Sequence, residues 1–203
     1  MARENATRHK LICEGLKGLI AHGYEGVGIG PILASVDVPK GSFYHFFKSK
    51  DDFVGAIIEY YAEIWDGRRN DIFADARLSP LERLDAYLEV LEEKLREEHP
   101  AGGCLLGTLG QTISGRSAML RARLAEAYRA WESSVARLLQ EAENAGELTA
   151  RVDPQMAAVE RIDAYEGAII RVKLNDDLDA FARFRKLAIT KLRRERDEQV
   201  RSA

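Results

Sequence analysis

Apolar residues recur every three or four positions along almost the whole chain, and nowhere does the sustained alternation of a half-buried strand appear, so the pattern predicts an all-α protein. Leu11, Ile12, Leu16, Leu19 and Ile20 share a helical face that stops at Gly23, where a residue without a Cβ suits a left-handed cap. Gly26, Gly28 and Gly30 make a connector. Pro31 sits where a first helical turn tolerates proline, which predicts a short helix from about residue 29 to Val36. Asp37 and Val38 then turn the chain into a second short helix, Lys40 to Phe47, rich in aromatics. Ser49 followed by Asp52 resembles a capping box and opens a longer helix through Phe53, Ile57, Tyr60, Tyr61 and Ile64.

Further along, Ser79, Pro80 and Glu82 combine an N-cap, a first-position proline and the third-position acid of a capping box, followed by the stripe Leu81, Leu84, Leu88, Leu91 and Leu95. A break is expected from His99 to Gly103, after which Cys104, Leu105, Leu106 and Leu109 start another helix. A long helix carries Leu120, Leu124, Tyr128, Trp131, Val135, Leu138 and Ala142 and ends at Gly146. Asp153 and Pro154 cap the next, and Asp176 or Asp177 is expected to start the last. The apolar stripes of these two helices need a partner, so Met156, Val159, Ile162, Ile169, Phe181 and Phe184 are the candidate homodimer interface. The charge-alternating tail, Lys191 to Ala203, reads as solvated helix rather than as a nucleic-acid arm.

Composition narrows the class. At 203 residues, with 46% hydrophobic and 31% charged, the chain matches ordinary globular proteins. No apolar run reaches membrane-spanning length and no signal segment precedes the first helix, so a cytoplasmic protein is expected. Cys13 and Cys104 are too few for a disulfide framework, and the four histidines show no metal-ligand spacing, so neither a metal nor a cofactor is expected. Residues 1–50 carry seven Lys/Arg against four Asp/Glu although the whole chain is at −3, which leaves a basic end on an acidic body.

Two short helices joined by a tight turn have the geometry of a helix-turn-helix, whose second helix enters the DNA major groove. Taken by residue pattern alone, the same segment also fits an amphipathic core helix with incidental lysines. Gly26, Gly28 and Gly30 fail the dinucleotide register, since Pro31 intervenes and no strand precedes them. Nucleophile elbows, P-loops and helical histidine pairs are absent from the sequence. Cys104 follows Gly102-Gly103 at a helix start, where the dipole favours a thiolate, although a small buried hydrophobe fits as well. Tyr128 and Trp131 offer polar handles for a pocket or simply fill the core. An all-α thiol enzyme built on Cys104 and a scaffold binding only proteins are the competing classes; the former lacks an adjacent base, His99 lying before Pro100.

The segment Val38-Pro39-Lys40-Gly41-Ser42-Phe43-Tyr44-His45-Phe46-Phe47-Lys48-Ser49-Lys50 resembles the recognition-helix signature of the TetR family, a likeness that extends back through Gly23-Tyr24. That resemblance implies a homodimeric repressor, double-stranded operator DNA as partner, and release by a small-molecule inducer. It implies that Lys40, Gly41 and Ser42 meet the groove, and that Tyr44, His45 and Lys50 hold phosphates. Val27 and Gly28 stand where many members carry capping hydroxyls, and Asp37 where glycine is usual. Gly103-Cys104-Leu105-Leu106-Gly107-Thr108-Leu109 resembles a motif of the branch with NemR-like electrophile sensors and AcuR-like acrylate sensors, though Thr108 replaces a frequent Asn. It implies Cys104, with Tyr128 and Trp131, as the sensor. The expected organisation is a DNA-binding domain over 1–50 and a ligand-binding and dimerisation domain over 51–203.

Overall fold

The computed structural model describes residues 2–98, 102–113, 115, 117–149 and 152–193. Among these residues the chain forms nine helices: α1 (Ala2–Gly26), α2 (Ile29–Ser35), α3 (Lys40–Phe46), α4 (Lys50–Phe73), α5 (Pro80–Glu98), α6 (Leu105–Ile113), α7 (Ala118–Asn144), α8 (Pro154–Asn175) and α9 (Asp179–Thr190). The all-α expectation holds, with one small addition: Leu148 and Arg193 form an isolated antiparallel bridge.

Local chemistry sets most helix ends. Gly23 takes φ 66°, ψ −174° and breaks the regular course of α1 where the apolar stripe stops. Gly28 caps α2 without a side-chain bond. Asp37, at φ 54°, makes the turn before α3 in the left-handed region that Asp tolerates. Before α5 the capping box closes in both directions: Ser79 N–H donates to Glu82 Oε2 at 2.8 Å, and Glu82 N–H donates to Ser79 Oγ at 3.5 Å. Asp153 Oδ1 accepts from Gln155 N–H and Met156 N–H at 2.8 and 3.0 Å at the start of α8.

Two ends differ from the sequence reading. Asp176 adopts φ 56° and closes α8 as a left-handed C-cap, so α9 starts only at Asp179, whose N–H donates to Asp177 Oδ1 at 3.0 Å. At α4 the forward half of the expected capping box forms, Asp52 N–H donating to Ser49 Oγ at 3.1 Å, but Asp52 Oδ2 accepts from Lys48 N–H at 2.9 Å, so the return bond is shifted by one residue. The expected break at His99–Gly103 and the charged tail lie largely outside the described residues, although Leu192 is fully buried and its carbonyl accepts from Thr149 N–H at 3.0 Å.

The chain forms two compact units that interleave in sequence: residues 1–68 with 97–130, and residues 69–96 with 131–203. In the first, α1 packs on α6 and on α2, and α2 on α3. Its core holds Leu11, Leu19, Phe43, Phe47, Phe53, Ile57, Leu105 and Leu109, all at most 2% exposed. Each such side chain contributes about 1.5–3 kcal/mol of burial. In the second unit α8 packs along α9, and Tyr165 meets Trp131, Phe181 and Phe184 at centroid distances of 5.3, 6.0 and 6.1 Å. No helix among the described residues is long and apolar enough to cross a membrane.

Candidate DNA-binding face and thiol sites

The helix α3 is held from beneath by aromatics. Phe43, 1% exposed, lies 5.4 Å from both Phe47 and Phe53, and Phe47 lies 4.8 Å from Phe53 at the start of α4. Arg8 of α1 stacks its guanidinium 5.2 Å from the Phe47 ring. With that face fixed, Lys40, Gly41, Tyr44 and His45 point to solvent and Ser42 is half-buried. Tyr44 is 64% exposed, an unusual position for a large aromatic unless a partner meets it.

Lys50 is placed differently. Its Nζ donates to the Tyr24 carbonyl at 2.7 Å and stands 4.3 Å from the Tyr24 ring, while the Tyr24 hydroxyl donates to Asp51 at 2.5 Å. Periodicity shows none of this clasp, since its partners are 26 and 27 residues apart.

These observations decide the family, because comparison with known proteins matches the same elements. The model described as "Bacterial regulatory proteins, tetR family" matches residues 13–57, from α1 into α4, and "Tetracyclin repressor-like, C-terminal domain" matches residues 80–188. The chain belongs to the TetR family. It is similar to the transcriptional regulator AcuR of Cereibacter sphaeroides, 39% identical over 85% of this chain and 80% of that one. It is similar also to the transcriptional repressor NemR of Escherichia coli, 27% identical over 85% of this chain and 86% of that one. The crystal structure of regulatory protein TetR from Rhodobacter sphaeroides superposes with TM-score 0.86 and 36% identity, covering 91% of this chain and 97% of that chain. The resemblance to the TetR branch of AcuR and NemR therefore holds. These relatives are transcriptional regulators and not enzymes.

The Cys104 thiol is 3% exposed, immediately before α6, and its carbonyl accepts from Thr108 N–H at 3.1 Å in the first helical turn. Tyr61 of α4 donates its hydroxyl to Cys104 Sγ at 3.9 Å. Tyr128 is half-buried and belongs to the first unit, as Cys104 does; Trp131 is 7% exposed and belongs to the second. His99 lies outside the described residues. Nowhere among the described residues do three or more His, Cys, Asp or Glu side chains gather as a metal ion would need.

Of the interface candidates, Ile162, Ile169, Phe181 and Phe184 are buried inside the second unit itself, Val159 is half-buried and Met156 is 57% exposed. The large apolar side chains that α8 and α9 leave exposed are Met156, Ile170, Leu174 and Leu187, the last three at 43%, 71% and 50%. Leu187 borders an open groove of about 400 Å³ between the two helices, floored by Ala164, Gly167, Ala168 and Phe184.

The sequence reading missed two features for want of a local signal. Arg69 is 3% exposed, its guanidinium 5.9 Å from the Tyr87 ring. Arg185 donates through Nε to Asp85 at 2.8 Å and through Nη1 to Glu92 at 3.2 Å, with Glu89 at 3.4 Å. The Asp85 hydrogen bond, outweighing burial, holds this guanidinium above its ordinary pKa. Three acids on α5 at one-turn spacing mark a face, but only the fold supplies its cation.

Proposed function

We propose that the chain is a dimeric, ligand- or electrophile-responsive repressor that works in the cytoplasm and leaves a palindromic operator when a small molecule acts near Cys104. The observation that carries the DNA reading is Gly41. Glycine inside a helix costs about 1 kcal/mol relative to alanine. Nothing among the described residues requires it there, since an added Cβ would meet none of their atoms within 4 Å. A glycine on the exposed face of α3, between Lys40 and Ser42, is accounted for by a surface that must come close from outside, as a major groove does. Lys40 and Ser42 then reach base edges, while Tyr44, His45 and Lys50 bind phosphates and fix register.

The sensing half rests on placement. Cys104 immediately precedes α6, and α6 packs on α1 of the same unit, so added bulk at the thiol bears on a helix of the DNA-binding head. A ligand shifts the equilibrium only by its differential affinity for the two states. Tyr128, in the same unit as Cys104, is the proposed lining of the ligand pocket on that side, and Trp131 is proposed as a sensor residue within the second unit. Dimerisation uses the outer faces of α8 and α9, where Ile170, Leu174 and Leu187 stand exposed and small residues let a partner helix approach.

The test is a gel shift on the DNA upstream of the protein's own coding region, titrated with salt. Sequence-dependent binding that weakens steeply with salt supports the reading. Equal binding to every fragment, or none, overturns it.

A further inference from the structure

The cations at the DNA-binding end of the chain are held in different ways. Lys17 is paired with Glu14 at 2.7 Å, and Lys50 gives one N–H to the Tyr24 carbonyl. Arg8, Lys10, Lys40 and Lys48 are exposed and make no ion pair among the described residues. Of these four, Arg8 is the one set against a ring, its guanidinium lying over Phe47 at 5.2 Å from the centroid. Phe47 is 2% exposed, closes α3 and is followed directly by Lys48. A cation from α1 therefore stands at the C-terminal end of α3, beside the stretch that carries Lys48 and Lys50.

Packing fixes that place. About two helical turns on from Arg8, α1 runs so close to α4 that a Cβ at Gly15 would stand 2.5 Å from Phe53 Cζ and 2.6 Å from Ile57 Cδ1. Phe53 lies 4.8 Å from Phe47, so the ring under Arg8 belongs to the same packed cluster that holds α1. Among the described residues the Arg8 N–H donors have no acceptor. Stacking occupies the face of a guanidinium and leaves the in-plane N–H fork for an acceptor from outside. Glu59 and Glu63 line the same open cavity of about 260 Å³ as Arg8, but Glu59 accepts from Arg123, and neither carboxylate is within ion-pair distance of Arg8.

We propose that Arg8 is a further DNA contact, a fork aimed by Phe47 at a backbone phosphate of the strand that Lys48 and Lys50 also meet, so that the DNA-binding surface extends from the helix-turn-helix onto α1. This rests on the reading of α3 as the helix that enters the major groove. A helix lying in that groove has a sugar-phosphate strand along each side, and the end of α3 that meets one strand is the end where Arg8 stands. Two phosphate oxygens accept the paired N–H groups of one guanidinium, a contact that a lysine cannot reproduce. A phosphate carries no base identity, so Arg8 adds affinity and register without adding sequence choice. Phe47 thereby has two tasks: its ring supports Phe43 from beneath and carries Arg8 on its other side. Lys10, two residues on, projects from a different side of α1, which makes it a control of equal charge.

The experiment measures binding of the full chain to two duplexes, the upstream DNA and a random-sequence fragment of equal length, by fluorescence anisotropy over a salt series. Arg8→Ala and Arg8→Gln should each weaken binding to both duplexes by the same factor, about tenfold, and flatten the salt slope by about one. Arg8→Lys should keep the slope and lose part of the affinity, because the charge stays and the fork goes. Lys10→Ala, which changes the net charge equally, should leave the slope as in the native chain. A structural role for Arg8 would instead lower the melting temperature and leave the slope alone. Unchanged slopes in Arg8→Ala and Arg8→Gln, an equal flattening by Lys10→Ala, or a loss confined to the upstream DNA overturns the proposal. If the native chain binds both duplexes equally, that failure belongs to the operator reading, and the slopes still decide this one.

Discussion

Lys50 closes onto Tyr24, donating to its carbonyl at 2.7 Å and lying 4.3 Å from its ring, and so ties the end of α1 to the start of α4. Its ammonium keeps two further N–H groups for a phosphate. Lys50→Ala is therefore expected to act twice: thermal stability falls by about 1–2 kcal/mol, and all DNA sequences bind more weakly with a salt slope flatter by about one. Lys40→Ala, exposed and outside the clasp, should leave melting unchanged while relaxing base preference by about 1–3 kcal/mol. Calorimetry together with salt-titrated gel shifts on matched and mismatched fragments checks this. Equal effects of both variants on every sequence would remove the division between reading and anchoring.

Gly41→Ala separates fold from function most cleanly. Open space around the added Cβ and the helical backbone predict a gain of about 0.5–1 kcal/mol in stability. The same methyl should weaken operator binding, because it stands where the groove must approach. A variant that melts higher and binds DNA as tightly as the native chain would show that α3 does not enter a groove at this residue.

For dimerisation, exposure within the protomer sorts the variants. Leu174→Asp or Ile170→Asp alters side chains that the protomer leaves in solvent, so each should yield folded monomers. Phe181→Asp, at a fully buried position, should unfold the chain instead. Sedimentation velocity with circular dichroism distinguishes these outcomes, and a native chain sedimenting as a monomer at micromolar concentration would refute the assignment.

Cys104→Ser tests the buried thiol. The variant should bind operator as the native chain does but no longer release it with those electrophiles that act there, while a non-covalent inducer should still work. Full release by every electrophile, with no mass adduct on Cys104 in the native chain, would make Cys104 purely a core residue.

Asp75 supplies a pH prediction. Hydrogen bonds from the Arg77 side chain and backbone hold its carboxyl down at about 2, from an ordinary 3.8. Because the folded value lies below the unfolded one, the favourable contribution is fully present above pH 3.8 and is lost as pH falls through about 2. By NMR titration Asp75 should stay ionised to about pH 2, and Arg77→Ala should return its midpoint towards 3.8. Unchanged titration in that variant would assign the shift elsewhere.

Much of the helix plan was legible because caps are local. Ser79 with Glu82, Asp153 with Pro154, and Gly146 at φ 72° each act within about one turn of the helix end they set. The start of α9 was misread because Asp176 and Asp177 both suit a cap, and only the observed chain reversal gives Asp176 the left-handed role. The candidate interface was legible only as two apolar stripes. A stripe shows that a face needs burial without showing whether its own unit or a second copy supplies it; Ile162 and Phe181 turn inward, whereas Ile170 and Leu174 do not.

By itself the sequence determined the all-α class and most helix ends, since these follow from periods of three to four residues and from side chains bonding their own backbone. Tertiary structure alone decided which distant groups meet: Lys50 with Tyr24, Arg185 with the acids of α5, Cys13 with Tyr60, Cys104 with Tyr61. Those pairings mostly join residues 26 to 100 positions apart. Distance along the chain carries no information about them, because they depend on how whole helices rotate and pack rather than on any local preference.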